Sequence, residues 1–417
     1  MKSSMNIDMM EVTRLTQAGR LEEAMRLLQG GRAEPAPARQ PEARSERETV
    51  ELRRVGDEWS MPGRAPKQAP RQPSGREAPG AGKASGTAHP SELADRIKTN
   101  LFSAPFADKL RQSVPAGFRK REAVAVPVAA GASFLEKDFQ SAVGARPYKL
   151  YVPSTYKAGD DARPLIVMLH GCTQSPDDFA IGTKMNELAE ERNCLVLYPG
   201  QTKAANASMC WNWFSAKDQQ RHGGEPEIIA DMVRGVMGDY NVDPRRVFAA
   251  GLSAGGAAAA ILGQRYPDLF AAIGVHSGLA CGAARDMPSA FAAMQGRGGA
   301  SSGDTSIPAI VFHGTGDTTV APDNARSVGE QARGGASTRE TVVTGRSDGG
   351  VSFTRTIHHA ASGSTRPDAP RQETWLLAGM GHAWSGGDPK GSYTDPSGPD
   401  ASREMLRFFD EVAGAGA

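Results

Sequence analysis

An excess of charge of either sign is absent from this chain. Its 48 Lys and Arg face 47 Asp and Glu, a net charge of +1 over 417 residues. That balance provides no basic field for nucleic acid and no polybasic attraction to a membrane surface. No apolar run approaches the ~20 residues that a spanning helix needs. Cysteine is scarce: Cys172, Cys194, Cys210 and Cys281 are too few and too scattered for a disulfide scaffold or a zinc site with C-x-x-C spacing. Four reduced thiols are expected, with a Cys210–Cys281 bridge as the alternative. The N-terminus, MKSSMNIDMMEV, lacks a cationic stretch followed by an apolar one. No signal peptide is therefore expected, and the location reads as cytoplasmic.

What the chain has in plenty is glycine and proline, 48 and 28 residues, above average usage. They are unevenly placed. Residues 1–30 carry apolar side chains at helical spacing (Ile7, Met10, Leu15, then Leu21, Ala24, Met25, Leu28) and read as a small amphipathic hairpin around Gly19. It is either a docking element for a partner surface or for the rest of the chain, or a frayed extension. Residues 31–90 are rich in Pro, Arg and Gly, with Trp59 the single aromatic, too little apolar surface to offset ordering entropy. They read as a disordered linker. Residues 91–130 read as a short helical or irregular lead-in.

Residues 131–417 have the pattern of a packed catalytic domain. Strands are expected at Ser133–Ser141, Arg146–Val152, Leu165–Leu169, Cys194–Tyr198, Val247–Ala250, Ala271–Val275, Ala309–Phe312 and Thr374–Leu377. Helices are expected at Asp177–Glu191, Glu227–Tyr240, Ala254–Arg265, Asp323–Ala332 and Ser402–Val412. Alternation of this kind builds a mostly parallel sheet with crossover helices on both faces, an α/β fold.

The strongest chemical signal is Gly251-Leu252-Ser253-Ala254-Gly255, between an apolar strand and an Ala-rich helix. That is the context of a G-x-S-x-G nucleophile elbow, in which bare neighbours let strand and helix approach around a strained serine. A serine hydroxyl needs a general base, and in this fold the acid and then the histidine follow it in the chain. Asp317 sits just past the strand ending at Phe312. His382 sits just past the strand ending at Leu377, in a Gly-flanked loop. Asp304, in a polar loop, and Asp323, at a helix start, fit less well as the acid. His170 and His276 precede the acid, His313 is too near it, and His358 and His359 lack a Gly loop. Ser253, Asp317 and His382 are thus the expected nucleophile, orienting acid and base.

An oxyanion needs two backbone N–H donors. Ala254, after the nucleophile, and Cys172, in the loop after an early strand, are the candidates. His170 in that loop is expected to be a structural hydrogen-bonder. The densest aromatic cluster, Cys210-Trp211-Asn212-Trp213-Phe214, lies in a strand-end loop. Trp211 and Trp213, with Trp384 near His382, are expected to wall the substrate cleft rather than join the core.

Together these motifs resemble the esterase family of poly(3-hydroxybutyrate) depolymerases. The resemblance runs from about Ser133 to Ala413 and rests on RPYKLYVP from Arg146, LHGCTQ from Leu169, CWNWF from Cys210, GLSAGG from Gly251, HGTGD from His313 and GMGHAWSGG from Gly379. It implies an α/β-hydrolase fold, the trio Ser253, Asp317 and His382, an oxyanion loop at Cys172, and no metal or organic cofactor. It also implies a serine ester hydrolase for short-chain hydroxyalkanoate polyester or its oligomers. A polyhydroxyalkanoate granule reached through the N-terminal hairpin is a possible partner, and nucleic acid is not one. The family shades into feruloyl and acetylxylan esterases, an alternative substrate class. Its secreted members make an extracellular location the alternative. A reading from another class is a granule-associated scaffold with vestigial catalysis.

Overall fold

Short apolar runs with little alternation demand cover on both faces, and the sheet they build has it. The structure is a computed structural model that describes residues 54–55, 58–59, 125–159, 161–298, 306–335, 338–360 and 370–414. The chain divides into two units, Met1–Val50 and Glu51–Ala417, and the described residues all lie in the second. The hairpin expected at 1–30, the linker at 31–90 and the lead-in at 91–130 fall outside the described residues. The exceptions are residues 125–130 and a two-residue antiparallel pairing of Arg54–Val55 with Glu58–Trp59.

The strands are β1 (Ser133–Ser141), β2 (Gly144–Val152), β3 (Arg163–Leu169), β4 (Leu195–Pro199), β5 (Val242–Leu252), β6 (Ala272–His276), β7 (Ala309–Gly314), β8 (Thr338–Arg346), β9 (Ser352–Ala360) and β10 (Pro370–Leu377). They form one ten-stranded sheet in the order β8-β9-β10-β7-β6-β5-β3-β4-β2-β1. The six central strands, β10 to β4 in that order, are parallel; the two outer strands at each edge run antiparallel. The α/β-hydrolase class expected from the motifs is the fold found.

Strand β3 explains the two-sided core. Leu165, Val167 and Leu169 enter one apolar cluster, with α3 (Glu225–Asp239), α4 (Ala254–Arg265) and α6 (Asp323–Arg333). Ile166 and Met168 enter the other, with α1 (Pro176–Thr183), α2 (Met185–Arg192) and α7 (Ala401–Ala413). A short α5 (Met287–Ala292) lies between β6 and β7. Two-residue strands β11 (Trp384–Ser385) and β12 (Thr394–Asp395) pair in parallel beyond β10.

Two elements differ from expectation. The single helix expected at Asp177–Glu191 is two helices, broken at Lys184, whose φ of 54° is left-handed. The break lets the chain turn while Ser402 Oγ donates to the freed Thr183 carbonyl at 2.6 Å. The β8–β9 hairpin extends the sheet beyond the eight strands read from the sequence, where only a strand end at His358–His359 was visible. As an edge hairpin it is partly exposed, so Thr, Arg and Glu break up its apolar signal.

Candidate active site

The carboxyl ends of β3, β5, β6, β7 and β10 point to one edge of the sheet, where ligands of open α/β sheets bind. Ser253 stands between β5 and α4 with φ 58° and ψ −119°, a strained backbone for a residue with a Cβ. Its N–H donates to the His276 carbonyl at 2.9 Å, and its own carbonyl accepts from Ala257 N–H at 2.9 Å. The elbow needs its glycines. A Cβ on Gly255 would collide with the Leu169 carbonyl and lie 2.6 Å from that of His170. One on Gly251 would lie 2.6 Å from the Leu169 oxygen.

Asp317 and His382 meet although 65 residues separate them: Asp317 Oδ2 lies 2.7 Å from His382 Nδ1. Asp317 Oδ1 accepts from the N–H groups of Thr319 and Val320, each at 2.9 Å. His313 Nε2 lies 3.4 Å from Oδ2 and donates at 2.9 Å to the Val320 carbonyl. Burial alone would raise the Asp317 pKa. The hydrogen bonds from His313, His382 and Val320 N–H, with the charge on His382, instead hold it well below the usual carboxylate range. Among the described residues the Ser253 hydroxyl makes no hydrogen bond. The His382 loop is seated against β7, since a Cβ on Gly314 would lie 2.8 Å from the Gly381 carbonyl.

The loop after β3 commits most of its donors. Gly171 N–H goes to Gln174 Oε1 at 2.9 Å. Thr173 N–H goes to the Ser208 carbonyl at 2.8 Å, and Gln174 N–H to the Gly171 carbonyl at 3.3 Å. The Cys172 N–H has no acceptor among the described residues, and neither does that of Ala254, the first residue of α4. The loop lies against the elbow: a Cβ on Gly171 would sit 3.6 Å from Ser253 Cβ. A free donor at a helix N-terminus beside a second free donor is an arrangement that can hold an anionic oxygen.

Two expectations are corrected here. Cys172 is bonded to Cys210, and Cys194 and Cys281 are buried thiols. The reading of four reduced thiols and its Cys210–Cys281 alternative both give way. Strands β3 and β4 are parallel neighbours, so the loops that follow them meet across 38 residues of chain. The three tryptophans are core residues, not cleft walls. Trp211 is 1% exposed, Trp213 6% and Trp384 1%. Trp211 Nε1 donates to the His170 carbonyl at 3.1 Å, and Trp384 Nε1 to Ser402 Oγ at 3.1 Å. A strand-end loop tied down at both ends turns its large rings inward, where they bury most area.

His170 is the structural hydrogen-bonder expected from its loop, while His276, Gln174 and Glu225 escaped the sequence reading as supporting residues. His170 is buried; its Nδ1–H donates to the Gly171 carbonyl at 2.8 Å while Nε2 accepts from Gln201 N–H at 3.1 Å. Burial lowers its pKa to about 4. His276 stacks on Trp384, its Nε2 accepts from Ser385 N–H at 3.0 Å, and burial together with His313 and His382 lowers its pKa to about 3. Gln174 ties the loop to the far side by donating to Asp178 Oδ2 and to the Ser392 carbonyl, each at 3.0 Å. Glu225 accepts from Arg146, Gln201 and Asn212. Nothing in spacing alone separates these from ordinary surface polars.

A doubly covered parallel sheet with a strained serine elbow and a carboxylate–histidine pair past later strands defines an α/β-hydrolase. An acetyl xylan esterase from Aspergillus awamori shares this fold, with a TM-score of 0.50 at 20% identity, covering 64% of this chain and 94% of its own. Residues 146–335 match the family described as esterase PHB depolymerase. Poly(3-hydroxyalkanoate) depolymerase C of Paucimonas lemoignei is 32% identical over 246 residues, 56% of this chain and 57% of that protein. A probable acetylxylan esterase A of Neosartorya fischeri is 32% identical over 120 residues, 28% and 32% of the two chains. The chain spans about half the length of the polyester depolymerases it matches.

Proposed function

We propose that the protein is a serine carboxylic-ester hydrolase. The observation that carries this reading is the 2.7 Å contact of Asp317 Oδ2 with His382 Nδ1, at the sheet edge that holds the strained Ser253. Asp317 fixes the proton on Nδ1 and leaves Nε2 to take the Ser253 proton as Oγ attacks the ester carbonyl. The N–H groups of Cys172 and Ala254 receive the oxyanion. His382 then protonates the leaving alcohol, and water repeats the sequence on the acyl-enzyme.

The substrate is a short-chain hydroxyalkanoate polyester or its oligomers. The relative named poly(3-hydroxyalkanoate) depolymerase C supports this, at 32% identity over 246 residues against 27% over 253 for a probable acetylxylan esterase A of Aspergillus flavus. The acetylxylan and feruloyl esterases among the relatives support a carbohydrate side-chain ester as the second reading. No helix among the described residues is long and apolar enough to cross a membrane. The Cys172–Cys210 bridge favours an oxidising compartment over the cytoplasm.

The test is steady-state hydrolysis of a p-nitrophenyl short-chain ester, then of 3-hydroxybutyrate oligomers, methyl ferulate and acetylated xylan. Ser253→Ala should remove nearly all turnover and leave the circular dichroism unchanged. Turnover of wild-type size in that variant overturns the reading, and preference for ferulate or xylan replaces the polyester with the second substrate class.

A further inference from the structure

The structure assigns Cys210 a positioning role: its disulfide to Cys172 aims the backbone N–H that receives the oxyanion, so ester turnover depends on the bridge being closed. This rests on the serine-hydrolase reading above.

The peptide between Gly171 and Cys172 carries the N–H in question. Its carbonyl end is held by His170 Nδ1–H at 2.8 Å. At its other end, among the described residues, the Cys172 side chain is the only part of that residue tied to a neighbouring element, and the tie is the bond to Cys210. The far end of the bridge is itself anchored. Cys210 N–H donates to Asn206 Oδ1 at 3.3 Å, and the Cys210 carbonyl accepts from Gln201 Nε2 at 2.9 Å. Asn212, two residues on, donates from its backbone N–H to Glu225 Oε2 at 2.7 Å and from Nδ2 to Oε1 at 2.8 Å. Gln201 Nε2 reaches the same carboxylate at 2.5 Å and Arg146 Nη2 reaches it at 3.1 Å. Glu225 is buried at the start of α3. Hydrogen bonds from a buried, four-donor carboxylate thus hold the Cys210 segment, and the disulfide carries that anchorage to the residue with the free N–H.

A general fold clamp would tie elements that otherwise drift apart. Here the two loops are already joined on both sides of the bridge, by Thr173 N–H to the Ser208 carbonyl at 2.8 Å and by Trp211 Nε1 to the His170 carbonyl at 3.1 Å. Opening the bridge leaves those bonds in place and frees Cys172 alone. Oxyanion donors act through preorganised placement, so a small loss of aim costs rate rather than binding.

Reduction by a dithiol balances simply. One reductant thiolate attacks a sulfur of the bridge to form a mixed disulfide. The second thiol closes the reductant's own ring, and two electrons and two protons leave Cys172 and Cys210 as thiols.

The experiment uses the full chain. Turnover of the p-nitrophenyl ester is measured for wild type, Ser253→Ala, Cys210→Ser and Cys210→Ala, at temperatures where near-ultraviolet circular dichroism matches wild type. The Cys210 variants should lose roughly 10- to 100-fold in kcat. Their KM should stay within about 3-fold and the acidic limb of the pH–rate profile unmoved, because Asp317 and His382 are untouched. A folded variant with wild-type kcat overturns the proposal, as does a loss expressed mainly in KM or accompanied by a moved pH limb. If neither variant folds, wild type is reduced with dithiothreitol, its thiols counted after denaturation, and then reoxidised. Loss of kcat at four thiols and recovery on reoxidation supports the role; unchanged kcat at four thiols overturns it. Absence of wild-type turnover, or full turnover by Ser253→Ala, refutes the hydrolase reading instead.

Discussion

Asp317 spends one carboxylate oxygen on the N–H groups of Thr319 and Val320 and the other on His382 Nδ1 at 2.7 Å. The carboxylate is thereby fixed in position before it orients the ring. Asp317→Asn keeps the shape but offers His382 an amide, which stabilises the wrong tautomer. The expected result is a fall of about 10,000-fold in kcat with the fold retained. Single-turnover kinetics with a p-nitrophenyl ester measures it, and a fall under 10-fold would remove Asp317 from the proposed trio.

Stability should fall in mild acid, where the unfolded chain takes up protons that two buried histidines refuse. His170 and His276 are buried with pKa values lowered to about 4 and about 3 from the ordinary 6.5. Between 6.5 and those values the unfolded chain binds more protons than the folded one, so stability rises with pH and is lost as pH falls. Each histidine contributes about 1.4 kcal/mol per pH unit across that window. Urea unfolding from pH 7 to 5 should show the loss, and His276→Gln should flatten it by about half. Asp317 and Glu373 act lower. Burial raises the Glu373 pKa and Arg407 and Arg355 more than reverse it. With folded values depressed, the contribution of both groups is present above their ordinary pKa and lost as pH falls through the folded one.

The burial of Trp384 makes it a stability residue. Its ring stacks on His276 at 5.2 Å and meets Phe179 edge-on at 5.4 Å. Trp384→Ala should cost about 3–5 kcal/mol of unfolding free energy, read by denaturant titration. KM of the folded fraction should change less than about 2-fold. A raised KM with an unchanged midpoint would return Trp384 to the cleft wall.

The residues of the proposed trio could be named from the chain because their constraints are local. A serine between two glycines at a strand–helix junction, and an acid and a histidine each just past a later apolar strand, are patterns of a few residues. The sheet could be read for the same reason in its centre, where strands such as Leu165–Leu169 are buried on both faces. The edge hairpin β8–β9 was only partly legible, because half-exposed strands mix polar and apolar residues.

Sequence by itself determined the α/β class, the order of strands and helices around the site, and the choice of Ser253, Asp317 and His382 as the trio proposed. Tertiary structure alone decided which cysteines meet, which way three tryptophans face, and which N–H groups remain without an acceptor. Those outcomes depend on which strand ends become neighbours and how much room lies between their loops. Cys172 finds Cys210 because β3 and β4 are adjacent, and Trp211 turns inward because the His170 carbonyl is there to receive its N–H. Neither neighbour is close in sequence, so no local pattern records the pairing.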